Sequence, residues 1–98
     1  MYELLSIKPD DDKKHKLVAK FKNKETGRSK TVHFGAVGYD DFTKTKNEEQ
    51  KKKYLARHQK RENWNDYTSA GALSRFILWG DSTSIQENIK AFKKRFNL

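Results

Sequence analysis

The chain of 98 residues has no cysteine, a single proline and a single methionine. Without cysteine, neither a disulfide framework nor a cysteine-ligated zinc site can form, which fits a reducing compartment. Long apolar runs are also missing. The longest, Phe76 to Trp79, is far short of the about 20 residues needed to cross a bilayer, so no membrane span is expected. The first dozen residues lack a basic stretch followed by a sustained apolar one, so a secretory signal is not expected. Hydrophobic residues make up only 34% of the chain, but six Phe, four Tyr and two Trp supply bulk for a small aromatic core.

Positive charge is abundant. There are 22 Lys and Arg against 13 Asp and Glu, a net charge of +9 and a pI near 9.8. Such a balance favours polyanionic partners. It is also segregated: Lys13 to Lys30 holds eight cations and one acid, and Lys44 to Arg61 holds eight cations and two acids. The densest segment, Lys51 to Trp64, carries four lysines, two arginines, a histidine and two aromatics, with Glu62 its only acid. Neighbouring like charges repel on a helix, so this crowding suits a surface that meets phosphate.

Periodicity predicts an α+β fold in one domain over 1–98, with a β-rich half at 1–35 and a helical half at 46–98. Tyr2 to Ile7 reads as a first strand closed by Pro9 and the turn Asp10–Asp12. Leu17, Ala19 and Phe21 alternate with Val18, Lys20 and Lys22; Thr26-Gly27 supplies a turn; Val32 and Phe34 then alternate again. The result is an antiparallel β-hairpin or three-stranded meander, packed against about three C-terminal helices. Gly35 to Phe42 reads as a glycine-punctuated loop. One helix is expected from Lys46 or Asn47, with Asn47 as cap, to about Arg61. A second runs from Ala70 to Trp79 after Thr68 or Ser69, and a third follows Ser82 or Thr83 to Phe96, with Ile85, Ile89, Phe92 and Phe96 as its apolar stripe.

On the basic helix, Tyr54, Arg57, His58 and Arg61 recur at spacings of three and four and so share a face. Arginines beside an aromatic suit a phosphate backbone and exposed bases, whereas the bland alternative is a solvated face anchored by Tyr54 and Leu55. The candidate nucleic-acid contacts are Lys51, Lys52, Lys53, Tyr54, Arg57, His58, Lys60 and Arg61, extended by Lys20, Lys22, Arg28 and Lys30 of the hairpin. Those hairpin cations serve equally well as protection against edge-to-edge pairing. Gly35-x-x-Gly38 lacks the lysine and spacing of a phosphate loop, so turn geometry explains it best. Asp40 and Asp41 invite a divalent ion, with His58 or Glu62 completing a nuclease-like set, but adjacent carboxylates after glycine more often begin a helix. His15, His33 and His58 have no metal-ligand spacing and read as surface or hydrogen-bonded histidines. Trp64 and Trp79 read as anchors, and Arg75 as a buried partner for Asp66 or Asp81.

Several of these residues form a punctuated series: Val32-His33-Phe34-Gly35, Gly38-Tyr39-x-Asp41-Phe42-Thr43, Tyr54-x-x-Arg57-His58-x-x-Arg61-Glu62-x-Trp64, and Thr68-x-Ala70-Gly71-x-Leu73-Ser74-Arg75-x-x-Leu78-Trp79. The series resembles a family of small, basic, largely uncharacterised proteins encoded by large double-stranded DNA viruses of algae and protists. The resemblance covers about two thirds of the chain, from Lys30 onward. It implies a setting in a virion, a virus factory or the host cytoplasm or nucleus, and brings no catalytic residues or cofactor. With the segregated charge, the expected function is non-enzymatic, largely sequence-independent nucleic-acid binding, with DNA favoured over RNA only weakly. The alternatives are a minor virion protein docking on an acidic capsid or scaffold protein and, third, a small metal-dependent nuclease.

Overall fold

Three antiparallel strands begin the chain: β1 (Tyr2–Pro9), β2 (His15–Asn23) and β3 (Ser29–Ala36), in the order β1-β2-β3. The computed structural model describes residues 1–98. Four helices follow: α1 (Phe42–Thr45), α2 (Glu48–His58), α3 (Ala70–Leu73), which continues as a π-turn over Ser74–Leu78, and α4 (Ile85–Arg95). The expected α+β fold and the three-stranded meander are both present.

Strand alternation sets the inner face of the sheet. Leu17, Ala19 and Phe21 of β2 are buried and pair with Phe34, Val32 and Lys30 of β3. On β1, Tyr2, Leu4 and Ile7 all pack against this core although their spacing is two and then three. A bulge reconciles the two periods, because the register passes from Leu4↔Phe21 to Ser6↔Lys20 and skips Leu5. Leu5 is left half exposed, and the alternation resumes in phase for Ile7 opposite Ala19.

The helices cover this inner face. One hydrophobic cluster joins Phe21 and Phe34 of the sheet with Phe42, Tyr54, Leu73, Ile77, Trp79 and Phe92. Local capping follows the sequence closely. Asn47 accepts from Gln50 N–H to start α2, and Ser69 accepts from Ala72 N–H to start α3. Two boundaries differ from expectation. The basic helix stops at His58, three residues before Arg61, and α4 is capped by Ser84, whose hydroxyl accepts from Glu87 N–H, because Ser82 Oγ is drawn to Glu87 Oε2. Helix α1 follows the expected Gly35–Phe42 loop and carries no signal of its own in the sequence; its four residues are too few to show a period, and Asp41 caps it.

The join between the π-turn and α4 rests on one buried amide. Asn88 Nδ2 donates to the carbonyls of Ile77 and Ser82, both at 2.8 Å, and its Oδ1 accepts from Ser82 N–H at 3.0 Å. Gly80 makes room for it: a Cβ there would lie 2.3 Å from Phe76 O and 2.6 Å from Asn88 Cγ. Asn88→Ala is expected to lower unfolding free energy by about 1–3 kcal/mol, because it strands two carbonyls and an N–H in the interior. Gly80→Ala should cost a similar about 1–3 kcal/mol by overpacking. Urea denaturation followed by circular dichroism measures both.

Candidate nucleic-acid interface

The loop after β3, helix α2 and the α3–π segment meet at the His15/Ala36 end of the sheet and enclose a cleft of about 450 Å³. Lys16, Gly35 and Ala36 form the sheet wall; Tyr39, Asp40 and Asp41 the loop wall; Tyr54, Arg57, His58 and Glu62 the α2 side; and Gly71, Ser74, Leu78 and Trp79 the opposite side. Most of the residues in the punctuated series therefore converge in space.

Two glycines permit this convergence. Gly35 has φ +76°, and a Cβ there would lie 2.5 Å from Leu78 Cδ1, so the strand end can approach the π-turn only as glycine. At Gly71 a Cβ would lie 2.7 Å from Glu62 Oε2, so the absent side chain admits that carboxylate against α3. Glu62 then accepts from Trp64 Nε1 at 3.3 Å and faces His58 Nδ1 at the same distance.

Tyr54 is the centre of an aromatic pile. Its ring stacks on Trp79 at 4.2 Å and 7° on one side and on His58 at 4.1 Å on the other. The π-turn supports this arrangement, since Trp79 N–H bonds Ser74 O across five residues and ends the helix with the indole against Tyr54. With Tyr54 only 8% exposed, its ring is committed to the fold and is not a platform for bases.

Asp41 is committed too. Its oxygens accept from Thr43 N–H, Thr43 Oγ1, Lys44 N–H and the Lys16 ammonium. That carboxylate begins α1 and anchors Lys16, and four donors already surround it. Asp40 lies outside, paired with Lys44 at 3.6 Å. Neither arrangement resembles a metal-binding pair. Arg75 also differs from expectation: it forms no ion pair with Asp66 or Asp81. Its Nη1 donates to Trp79 O at 3.0 Å, and its guanidinium lies 5.2 Å from the Trp64 ring centre and 5.0 Å from that of Phe76.

The candidate cations divide into two kinds. Lys51 Nζ donates to Gly80 O at 2.8 Å and sits 4.8 Å from the Phe42 ring centre, so it fastens α2 to the core. Lys30 is in phase with Val32 and Phe34 and so points to the helical side, where it donates to Thr68 Oγ1 at 2.9 Å. By contrast Lys52, Lys53, Arg57, Lys60 and Arg61 are exposed, and none of them enters an ion pair. Lys20 and Lys22 are exposed on the outer face of the sheet, and Arg28 lies just before β3. Lys22 is six residues along β2 from Lys16, or roughly 20 Å at about 3.3 Å per residue. The hairpin and α2 cations thus mark opposite ends of the sheet and do not form one continuous patch.

A second polar constellation lies near the same end as the cleft. Asp10 and Asp12, from the loop joining β1 to β2, meet His15 and His33. The hydrogen bond from His15 holds the Asp12 carboxyl down at about 2, and the bond to Asp10 raises the His33 pKa. No spacing in the sequence could reveal this group, because the sheet register brings His15 and His33 together across eighteen positions.

The geometry defines a small α+β protein with a cleft that one unpaired cation of α2, Arg57, helps to line. Residues 5–58 match the model of a family of unknown function (DUF5754), more than half of the chain, and the protein belongs to that family. The matched span holds most of β1, all of β2, β3, α1 and α2, and with them the sheet, loop and α2 sides of the cleft apart from Glu62. Among curated proteins and solved structures, none matches this chain.

Burial inside the aromatic pile pushes the Tyr54 phenol up to about 12, from an ordinary 10.0. The folded state holds this proton more tightly than the unfolded chain does. Its contribution to stability is therefore full below pH 10 and is lost as pH rises from 10 through 12. Tyr54→Phe should make alkaline destabilisation shallower in that window, by up to about 1.4 kcal/mol per pH unit, when urea midpoints are compared with wild type.

Proposed function

We propose that this protein binds nucleic acid without catalysing a reaction, holding the phosphate backbone on the free cations of α2 and the turn that follows. The observation that carries this reading is the division of the lysines and arginines. Those facing the fold are used by it: Lys16 by Asp41, Lys30 by Thr68 and Lys51 by Gly80. Lys52, Lys53, Arg57, Lys60 and Arg61 remain exposed and without ion pairs. Lys53 and Arg57 stand one helical turn apart, a like-charge arrangement that costs stability by about 0.2–0.5 kcal/mol in isolation. A polyanion would remove that cost.

Arg57 and His58 belong both to the cation ridge and to the cleft, so the backbone would run along α2 with the cleft opening beside it. Lys20, Lys22 and Arg28 supply a separate second contact at the far end of the sheet. The resemblance to proteins of large DNA viruses supports a viral particle or factory as the setting for such binding, with duplex DNA as the first ligand to test.

Fluorescence anisotropy with random-sequence duplex DNA at several salt concentrations provides the measurement. Five phosphate contacts give a log–log salt slope of about −4.5, hence a roughly 500-fold loss of affinity between 50 and 200 mM salt. Arg57→Ala with Arg61→Ala should reduce the slope by about 1.8. Lys51→Ala should instead reduce stability and leave the slope unchanged. Absence of binding at low salt would refute the proposal and turn the search toward an acidic protein partner.

A further inference from the structure

The four side chains at the end of the sheet suggest a second kind of ligand. Asp10 begins the loop that follows β1, Asp12 lies at the middle of that loop, His15 opens β2 and His33 lies within β3. His33 Nδ1 lies 2.5 Å from Asp10 Oδ2 and 3.6 Å from Asp12 Oδ2, and His15 Nδ1 lies 2.7 Å from Asp12 Oδ2. One donor atom from each of the four residues fits within 4.8 Å of all the others. The imidazole rings are 5.5 Å apart.

We propose that Asp10, Asp12, His15 and His33 bind one divalent transition-metal ion of the zinc type. Two imidazole nitrogens with two carboxylate oxygens are the ligand mixture that such ions accept, whereas calcium and magnesium prefer oxygen alone. Bonds of about 2.0–2.2 Å in a tetrahedron place neighbouring ligand atoms roughly 3.3–3.6 Å apart. The two short His–Asp contacts would each open by under about an ångström as the metal replaces the bridging proton. The widest separation would close by a little more. His15 and His33 are 38% and 44% exposed, which leaves them free to make that adjustment and gives the ion a path from solvent.

The site is also partly built in advance. The Asp10 side chain is only 4% exposed, and its Oδ1 accepts from Asp12 N–H, so its remaining oxygen is fixed toward His33. Asp12 Oδ1 accepts from the N–H groups of Lys14 and His15, which leaves Oδ2 for the cluster. With neutral imidazoles, the two carboxylates supply a charge of −2 against an ion of +2. The bound ion would join the β1–β2 loop, the central strand and the edge strand, a cross-link that a chain without cysteine cannot make by disulfide.

The full-length protein, freed of metal by a chelator and dialysed, is titrated with Zn²⁺ by calorimetry and with Co²⁺ by visible absorption. The expected result is one equivalent bound, a four-coordinate Co²⁺ spectrum and a rise in Tm that saturates at one equivalent. His15→Ala and His33→Ala should each weaken binding by roughly tenfold or more, at least the loss seen when only a ligand's hydrogen-bond partner is removed. Both residues are substantially exposed, and Asp12→Asn provides a third variant of unchanged shape; circular dichroism verifies that each is folded. The proposal is overturned if binding requires millimolar metal, exceeds one equivalent, or persists at wild-type strength in His33→Ala.

Discussion

The stack of Tyr54 on Trp79 governs how the helical half is arranged. Helix α2 packs on α1 and reaches the rest of the core mainly through this one ring, with Lys51 reaching Gly80 O and the Phe42 face beside it. An aromatic pair contributes about 0.5–1.5 kcal/mol beyond the area it buries. Here it also sets orientation, because the ring held on Trp79 and the Lys51 ammonium held on Gly80 O fix α2 at two points and leave it little freedom to roll about its axis. The cations at Lys53 and Arg57 keep their outward direction, and the cleft keeps its fourth wall, as long as that ring stays in place.

The charge distribution follows from the same division between inside and outside. A net charge of +9 on 98 residues produces self-repulsion, which the fold relieves where it can. Asp41, Asp81 and the Gly80 carbonyl neutralise or solvate the lysines that turn inward. The outward cations of α2 and the hairpin have no such partners and form separate fields at opposite ends of the sheet.

Local signals in the sequence carried much of the fold. Alternation marked Leu17–Ala19–Phe21 and Val32–Phe34 as inward, and the side chains of Asn47 and Ser69 marked two helix starts. The apolar stripe at Ile85, Ile89, Phe92 and Phe96 located α4. The same phase rule already put Lys30 on the inner side with Val32, although charge alone grouped it with Lys20 and Lys22. What stayed hidden depends on contacts distant in sequence. The β1 bulge is visible only against the β2 register, and the π-turn only through the bond from Trp79 to Ser74. Glu62 was grouped with Asp40, Asp41 and His58, but its place against α3 depends on Gly71, and the histidines looked unrelated until the sheet joined them.

The bulge at Leu5 bears on how copies of the protein coexist. Strand β1 is an open edge of a three-stranded sheet, and a regular edge is a template onto which another chain can add. The skipped residue breaks the even spacing of free N–H and carbonyl groups, and Pro9 lacks a donor at the strand's end. A cationic protein gathered along a polyanion would reach local concentrations at which such edges meet often. The irregular strand would keep such crowding from becoming a continuous intermolecular sheet, so copies could line a common ligand side by side and still remain separate molecules.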